Sequence, residues 1–159
     1  MELCIENSER FVQDAELIYK NKSYGHALSL AVLAMEEIGK TILFWRVGLG
    51  YESFDKKLWE DLFKKHKPKL KRALNQILAL SIARNKSAFM KFIERMKGDL
   101  NKEKQDGFYV NLKDKHEFVS PSNISRKKAE ETIELAKSLM ELSKGAGRLT
   151  WINWKASMH

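Results

Sequence analysis

The sequence contains few of the residues on which disulfide-rich and membrane-spanning proteins depend. Its 159 residues include one cysteine, Cys4, together with two prolines and eight glycines. A single cysteine excludes an intramolecular disulfide and a thiolate metal cluster, so we expect an inert thiol. The longest apolar run, residues 27–35 with one serine inside it, is too short to cross a bilayer. Three glutamates and no basic residue precede Arg10, which is not a signal-peptide pattern, and we expect a cytoplasmic protein that does not bind membranes.

The composition that remains is typical of one globular domain. Hydrophobic residues make up 43% of the chain and charged residues 31%. That apolar share is too high for a disordered chain, and the length suits one domain with a proper core rather than two. No internal repeat, low-complexity tract or linker divides the sequence. We therefore predict one domain over residues 1–159.

Positive charge is concentrated in the middle of the chain. The net charge is +8, yet residues 55–104 hold 15 basic and 6 acidic side chains, a local net charge of +9. A local field of this sign attracts polyanions, and nucleic acid is the commonest polyanion in a cytosol. The alternative is a lysine-rich helical face that only confers solubility.

Hydrophobic periodicity predicts helices nearly throughout the chain. Apolar spacings of three and four residues, with capping residues at the ends, indicate helices over residues 8–20, 23–47, 55–63, 68–83, 86–104, 122–144 and, in a short C-terminal turn, 147–158. Residues 106–123 are predicted to form a long ordered loop, and Gly145 and Gly147 to end the last long helix. Only residues 108–112 alternate, too few for a sheet. The predicted fold class is all-α, an up-and-down helical bundle of four to six helices.

The second predicted helix is apolar on two sides. Such a helix belongs at the centre of a bundle or between subunits, and its polar residues fall in one narrow wedge that includes Glu36, Glu37 and Lys40. Glu36 and Lys40 can pair at four-residue spacing. Two interpretations are open: a structural ion pair that orients the helices, or a catalytic group of two carboxylates and an ammonium.

Three segments resemble a known family. The run from His26 to Lys40, HALSLAVLAMEEIGK, resembles the signature helix of AbiV-type HEPN domains, which are abortive-infection proteins of bacteria and archaea. His66–Leu70 is similar to the histidine-lysine segment of that family, and Gly107–Val110 to its segment before the last helix. The resemblance covers residues 1 to about 145. It implies a HEPN-like helical bundle, usually a homodimer, in a group tied to phage defence and RNA targeting.

The resemblance does not extend to a catalytic pair. Active HEPN ribonucleases carry an arginine followed within two helical turns by a histidine, and cleave RNA without a metal. This chain has no such pair, so the catalytic prediction turns to substitutes. In the loop where the motif is expected, Lys104 can bind a phosphate and the hydroxyl of Tyr109 can handle a proton.

His66 is the best single candidate for chemistry. Six basic side chains surround it in the sequence and form the predicted RNA-binding set: Lys64, Lys65, Lys67, Lys69, Lys71 and Arg72. Their charge lowers the pKa expected for the imidazole, which keeps it neutral and able to accept a proton. The alternative is a solvated surface histidine. With Glu36, Glu37, Lys40, Lys104 and Tyr109, His66 completes the predicted catalytic residues.

The functional prediction has two branches. Because the four histidines lie far apart and no glycine-rich phosphate loop is present, we predict no metal site and no cofactor. The first branch is an RNA-directed phage-defence protein, a metal-independent endoribonuclease if it is an enzyme. The second is a non-catalytic module that binds a protein, such as a phage trigger or, as in toxin–antitoxin pairs, a cognate nucleotidyltransferase.

Overall fold

The architecture is a helical bundle with one small hairpin. The structure, a computed structural model, describes residues 2–65, 99–114 and 117–157. Within these ranges the chain forms α1 (Glu2–Lys20), α2 (Tyr24–Gly48), α3 (Lys56–Phe63), α4 (Leu100–Phe108), β1 (Asn111–Asp114), β2 (Glu117–Val119), a 3-10 helix (Pro121–Asn123) and α5 (Arg126–Ser157). The all-α prediction is confirmed. No helix in these ranges has the length and apolar character needed to span a membrane.

The helix α2 lies at the centre of the bundle, as its two apolar sides predicted. It packs against α1, α4 and α5, and more than half of its residues are buried. Ala27, Ala31 and Ala34 are fully buried, and such small side chains let neighbouring helices approach closely. Leu28, Met35 and Ile38 supply the largest buried side chains of the same core.

The helices α1 and α5 flank α2 and run antiparallel to each other. Lys137 of α5 pairs with Glu16 of α1 at 3.0 Å, and Lys144 pairs with Glu9, nearer the start of α1. A short turn joins α1 to α2. It passes through Lys22, whose φ of 62° lies in the left-handed region, and the amide of Ser23 donates to the carbonyl of Ile18. This is the backbone pattern that commonly ends a helix.

Helix α3 matches the helix predicted over residues 55–63, with Asp55 as its capping residue. Asp55 Oδ1 accepts from the amide of Leu58 at 2.7 Å, and the helix ends at Phe63. Leu58 is buried against Leu43, which fixes α3 on the C-terminal end of α2. The predicted helix over residues 68–83 lies outside the described residues.

The first helix begins at Glu2 rather than at residue 8. Three other boundary predictions were wrong. The helix predicted over residues 86–104 is described only from residue 99, where Asp99 is a non-helical cap that accepts from the amide of Lys102, and a helix begins at Leu100. This helix continues to Phe108, into the predicted loop over 106–123, and the rest of that loop contains the hairpin and the 3-10 helix. The strands have four and three residues, too few to produce a readable alternation.

The third error concerns the last helix. It begins at Arg126 rather than at residue 122, because residues 121–123 form the 3-10 helix and Ser125 accepts from the amide of Lys128. It also continues through Gly145 and Gly147 to Ser157, so the short separate helix predicted over 147–158 is part of α5. A glycine weakens a helix by about 1 kcal/mol relative to alanine, far less than the proline that would break it.

Candidate functional site

The polar wedge of α2 divides its two carboxylates between two environments. Glu36 is 3% exposed and faces α4, whereas Glu37 is half-buried on the side of α1. Adjacent residues on a helix point about 100° apart, so one position of difference sends each carboxylate to a different neighbour. The predicted wedge is therefore two sites with different partners.

Glu36 forms a buried ion pair with Lys104 of α4. The Nζ atom of Lys104 lies 2.6 Å from Oε1 of Glu36, and the lysine side chain is 6% exposed. Ser29 lies about two turns before Glu36 on α2. Its hydroxyl donates to the backbone oxygen of Lys104 at 2.8 Å and lies 3.0 Å from the carbonyl oxygen of Gly25. Both the side chain and the backbone of Lys104 are thus bound to α2.

Close backbone contact makes this pairing possible. A Cβ atom at Gly107 would lie 2.2 Å from Oγ of Ser29 and 2.5 Å from the carbonyl oxygen of Gly25. At Gly25, a Cβ would lie 2.5 Å from the carbonyl oxygen of Pro121. The absence of side chains at both glycines lets α4 and the 3-10 helix lie directly on α2, which brings the Lys104 ammonium to Glu36.

Lys40 pairs with Glu37 and not with Glu36. Its Nζ atom donates to Oε1 of Glu37, three residues earlier, and the two side chains are 18% and 13% exposed. The predicted pair between Glu36 and Lys40 was therefore wrong, because the Glu36 side chain turns into the α2–α4 contact where Lys104 meets it.

A shallow groove beside Glu37 contains the single cysteine. Leu3, Cys4, Asn7 and Arg10 of α1 line it, with Glu37 on the α2 side. Burial raises the pKa of the Cys4 thiol, and the nearby Glu37 carboxylate raises this pKa further. A thiol whose pKa is raised is mostly protonated near neutral pH and is a poor nucleophile, which agrees with an inert cysteine.

Tyr109 directly follows α4 and is exposed. Its ring lies 6.1 Å from that of Phe108, which in turn lies 6.0 Å from the ring of His26 on α2. His26 Nδ1 and the hydroxyl of Ser23 lie 2.8 Å apart. The chain thus places one histidine and one tyrosine near the start of α2, a grouping that the sequence analysis did not predict.

Two of the predicted RNA-binding lysines follow the end of α3. Lys64 and Lys65 are exposed, and their ammonium groups lie 3.9 Å from Glu60 and 3.1 Å from Asp61. The other predicted residues of this region lie outside the described residues: His66, Lys67, Lys69, Lys71 and Arg72. Their proposed roles stay predictions.

The two ion pairs differ in what they can do chemically. The Glu36–Lys104 pair is almost fully buried, so an anion from solvent reaches it only if α4 moves away from α2. The Glu37–Lys40 pair is more exposed, at 18% and 13% of the two side chains, so a phosphate can approach it more readily than the buried pair. Burial therefore favours a structural role for the first pair and a ligand-binding role for the second.

Comparison with known proteins identifies the family. The sequence model of the HEPN_AbiV family, described as AbiV, matches residues 1–141. These residues include α2, both ion pairs and the first half of α5. No curated protein and no solved structure matches the chain. The chain therefore belongs to the AbiV family of HEPN domains, which are abortive-infection proteins.

Proposed function

We propose that this protein acts in phage defence by binding RNA and, in its active form, cleaving it without a metal ion. The family match over residues 1–141 carries the proposal, because it links the chain to abortive infection. The excess of basic residues between 55 and 104 supports RNA as the target, since a net +9 over fifty residues favours a polyanion. Lys64 and Lys65, both exposed after α3, are the described part of that segment's predicted RNA-binding set.

The proposed cleavage is an internal transfer on the RNA strand. His66 is the proposed base that removes the proton of a 2′-hydroxyl, whose oxygen then attacks the adjacent phosphorus while the 5′-oxygen leaves. The product ends are a 2′,3′-cyclic phosphate and a 5′-hydroxyl. Lys40 is the proposed cation that stabilises the phosphate charge in the transition state, because its ammonium is partly exposed whereas that of Lys104 is buried.

The remaining predicted catalytic residues receive secondary roles in this proposal. Glu37 positions the Lys40 ammonium through their ion pair, and Glu36 with Lys104 holds α4 against α2. Tyr109, exposed at the end of α4, is the proposed hydroxyl for protonating the leaving oxygen.

Cleavage of a labelled RNA in the presence of a chelator tests this proposal. We expect cyclic-phosphate ends, and a loss of rate of about 100-fold or more in His66→Ala and Lys40→Ala, as is typical when a proton-transfer or charge-stabilising group is removed. Lys137→Ala is the matched control, because it removes an ion-paired lysine between α1 and α5 and should leave the rate unchanged. Equal rates in all three variants would remove the assignment of the site.

The second candidate function is protein binding, and one surface favours it. Leu112 of β1 and Phe118 of β2 lie opposite each other in the hairpin, and both are exposed, as is Val110 just before β1. Clustered exposed apolar side chains often mark contacts with another protein. A phage trigger, a cognate nucleotidyltransferase or, in a homodimer, a second copy would bury them.

A double substitution separates the two candidates. Leu112→Ser with Phe118→Ser should abolish protection against phage and leave RNA binding unchanged if the hairpin binds a protein partner. Sedimentation of the wild-type protein and this variant tells whether that partner is a second copy. Full protection by the variant would argue against the second candidate.

A further inference from the structure

Exposed aromatic side chains are concentrated around α3. In the described part of the chain, six aromatic residues are among the large apolar side chains that remain exposed, and four of them lie within thirteen positions of each other: Tyr51, Phe54, Trp59 and Phe63. Burial of an aromatic ring contributes strongly to stability, so a cluster left in solvent indicates a surface that another molecule covers.

The packing of α3 holds two of these rings outward and side by side. Leu58 is buried against α2, whereas Trp59 and Phe63, at four-residue spacing and about 100° and 140° further around α3, are exposed. The centroids of these two rings are 5.7 Å apart, and the Phe63 ring packs against the ring of Phe44 on α2, with the centroids 6.5 Å apart. Trp59 is 42% exposed and packs against Phe63, so its indole is both accessible and held in place for a base to stack on.

Lysines flank these rings at both ends of α3, with Glu60 and Asp61 between them. The ammonium of Lys64 lies 5.1 Å from the centroid of the Trp59 ring, which shows that a cationic group reaches the indole. Lys56 and Lys57, at the start of α3, are exposed and form no ion pair with any residue that the structure describes. Cations next to exposed ring faces are the arrangement by which proteins bind single-stranded nucleic acids, with bases on the rings and phosphates on the lysines.

The flanking lysines argue against a protein partner at this surface. Lysine is depleted from the buried centres of protein interfaces, where its desolvation is unfavourable. A fully paired duplex fits no better, because its bases are stacked on one another and do not offer a free face. Unpaired bases with flanking phosphates match both the rings and the charges.

We propose that Trp59, supported by Phe63, is a stacking site for an unpaired base of single-stranded RNA, and that Lys64 and the lysines at the start of α3 bind the flanking phosphates. The proposal rests on the proposed RNA function and adds to it a defined contact site. On binding, the Lys64 ammonium leaves the indole face for a phosphate, and the base takes its place.

A cycle of protein and RNA variants tests the stacking directly. The probes are a short oligouridylate, the same oligomer with its central bases removed, and a duplex of the same length. We expect Trp59→Leu to weaken binding of the intact oligomer by about 5- to 100-fold, the range for loss of one stacked base. It should leave binding of the base-free oligomer and the duplex unchanged, and Trp59→Phe should retain most of the affinity. Leu17→Ala, at an exposed apolar residue of α1 outside the cluster, is the control and should have no effect.

Different results identify different failures. If Trp59→Leu binds the intact oligomer as the wild type does, or weakens all three probes equally, the stacking site is wrong while the RNA function stands. If Trp59→Leu changes the sedimentation of the free protein, the surface is an interface between copies, which also overturns the stacking site. If the wild type binds none of the probes at low salt, the proposed RNA function itself fails and the stacking site with it.

Discussion

Replacement of Lys104 tests whether the buried ion pair holds α4 on α2. The substitution Lys104→Met keeps a long apolar side chain and removes the ammonium that lies 2.6 Å from Glu36. Because the two side chains are only 6% and 3% exposed, water does not readily replace the lost partner. We expect a stable but clearly weakened protein.

The structure sets the size of this effect. Removal of one member of a buried ion pair destabilises a protein by about 3 to 5 kcal/mol, because the remaining charge stays buried. For a chain of this length, each kcal/mol lowers the melting temperature by about 2 to 4 °C. The variant should therefore melt about 6 to 20 °C below the wild type, by the two ranges combined.

Urea unfolding followed by circular dichroism measures the effect, at one fixed protein concentration in case the chain self-associates. Glu9→Gln is the matched control, since it removes one member of the partly exposed pair with Lys144 and should lower the free energy of unfolding by less than about 1 kcal/mol. The double variant Glu36→Leu with Lys104→Met replaces both charges by apolar groups and should recover most of the loss.

Two results would refute the reasoning. A loss below about 1 kcal/mol for Lys104→Met would place the pair in the class of surface ion pairs. Additive losses in the double variant would mean that the two side chains do not stabilise each other, whatever their separation.

Three further effects follow from the same structure. Gly107→Ala should destabilise by about 1 to 3 kcal/mol or more in urea unfolding, because its Cβ would overlap Ser29, whereas Gly48→Ala, with open space around it, should be neutral or slightly stabilising; equal effects would contradict the close contact. Cys4 should react with iodoacetamide near pH 8 more slowly in the folded than in the unfolded protein, because its raised pKa leaves less thiolate in the folded protein. The reaction of the folded protein should become faster as the pH rises, and a rate equal to that of the unfolded chain would contradict this. Lys22→Gly should stabilise by up to about 1 kcal/mol in thermal unfolding because glycine adopts its positive φ without strain, and a loss of stability would show that the lysine side chain matters.

Local patterns made α2 and α3 predictable from the sequence. The bounds of α2 could be predicted from apolar spacing within one helix. The start of α3 could be predicted from Asp55, a capping residue whose carboxylate accepts a hydrogen bond from the amide of Leu58. The central position of α2 followed from its two apolar sides. Local signals failed at Gly145, where a weak helix former was expected to end α5, and at a hairpin too short to show alternation.

The pairing within the site could not be predicted in the same way. Glu36 and Lys104 are 68 positions apart, and their contact depends on how closely α4 approaches α2. The sequence offers one signal for that approach, the glycine at position 107, but nothing local shows that it faces Gly25. The choice of Lys40 between two adjacent carboxylates likewise depends on which of them a distant helix already binds.

The salt dependence of RNA binding tests the central claim most directly. The claim is that the basic segment binds the phosphates of RNA, and three of its lysines provide the charge-reversal variant: Lys64→Glu, Lys67→Glu and Lys71→Glu. The control reverses three exposed lysines outside the segment: Lys20, Lys22 and Lys127. Each contact with a single-stranded phosphate contributes about 0.7 to the slope of log affinity against log salt, so the first variant should flatten that slope by about 2 and the control should not. Wild-type affinity that does not change with salt, or an equal slope in both variants, would contradict the account.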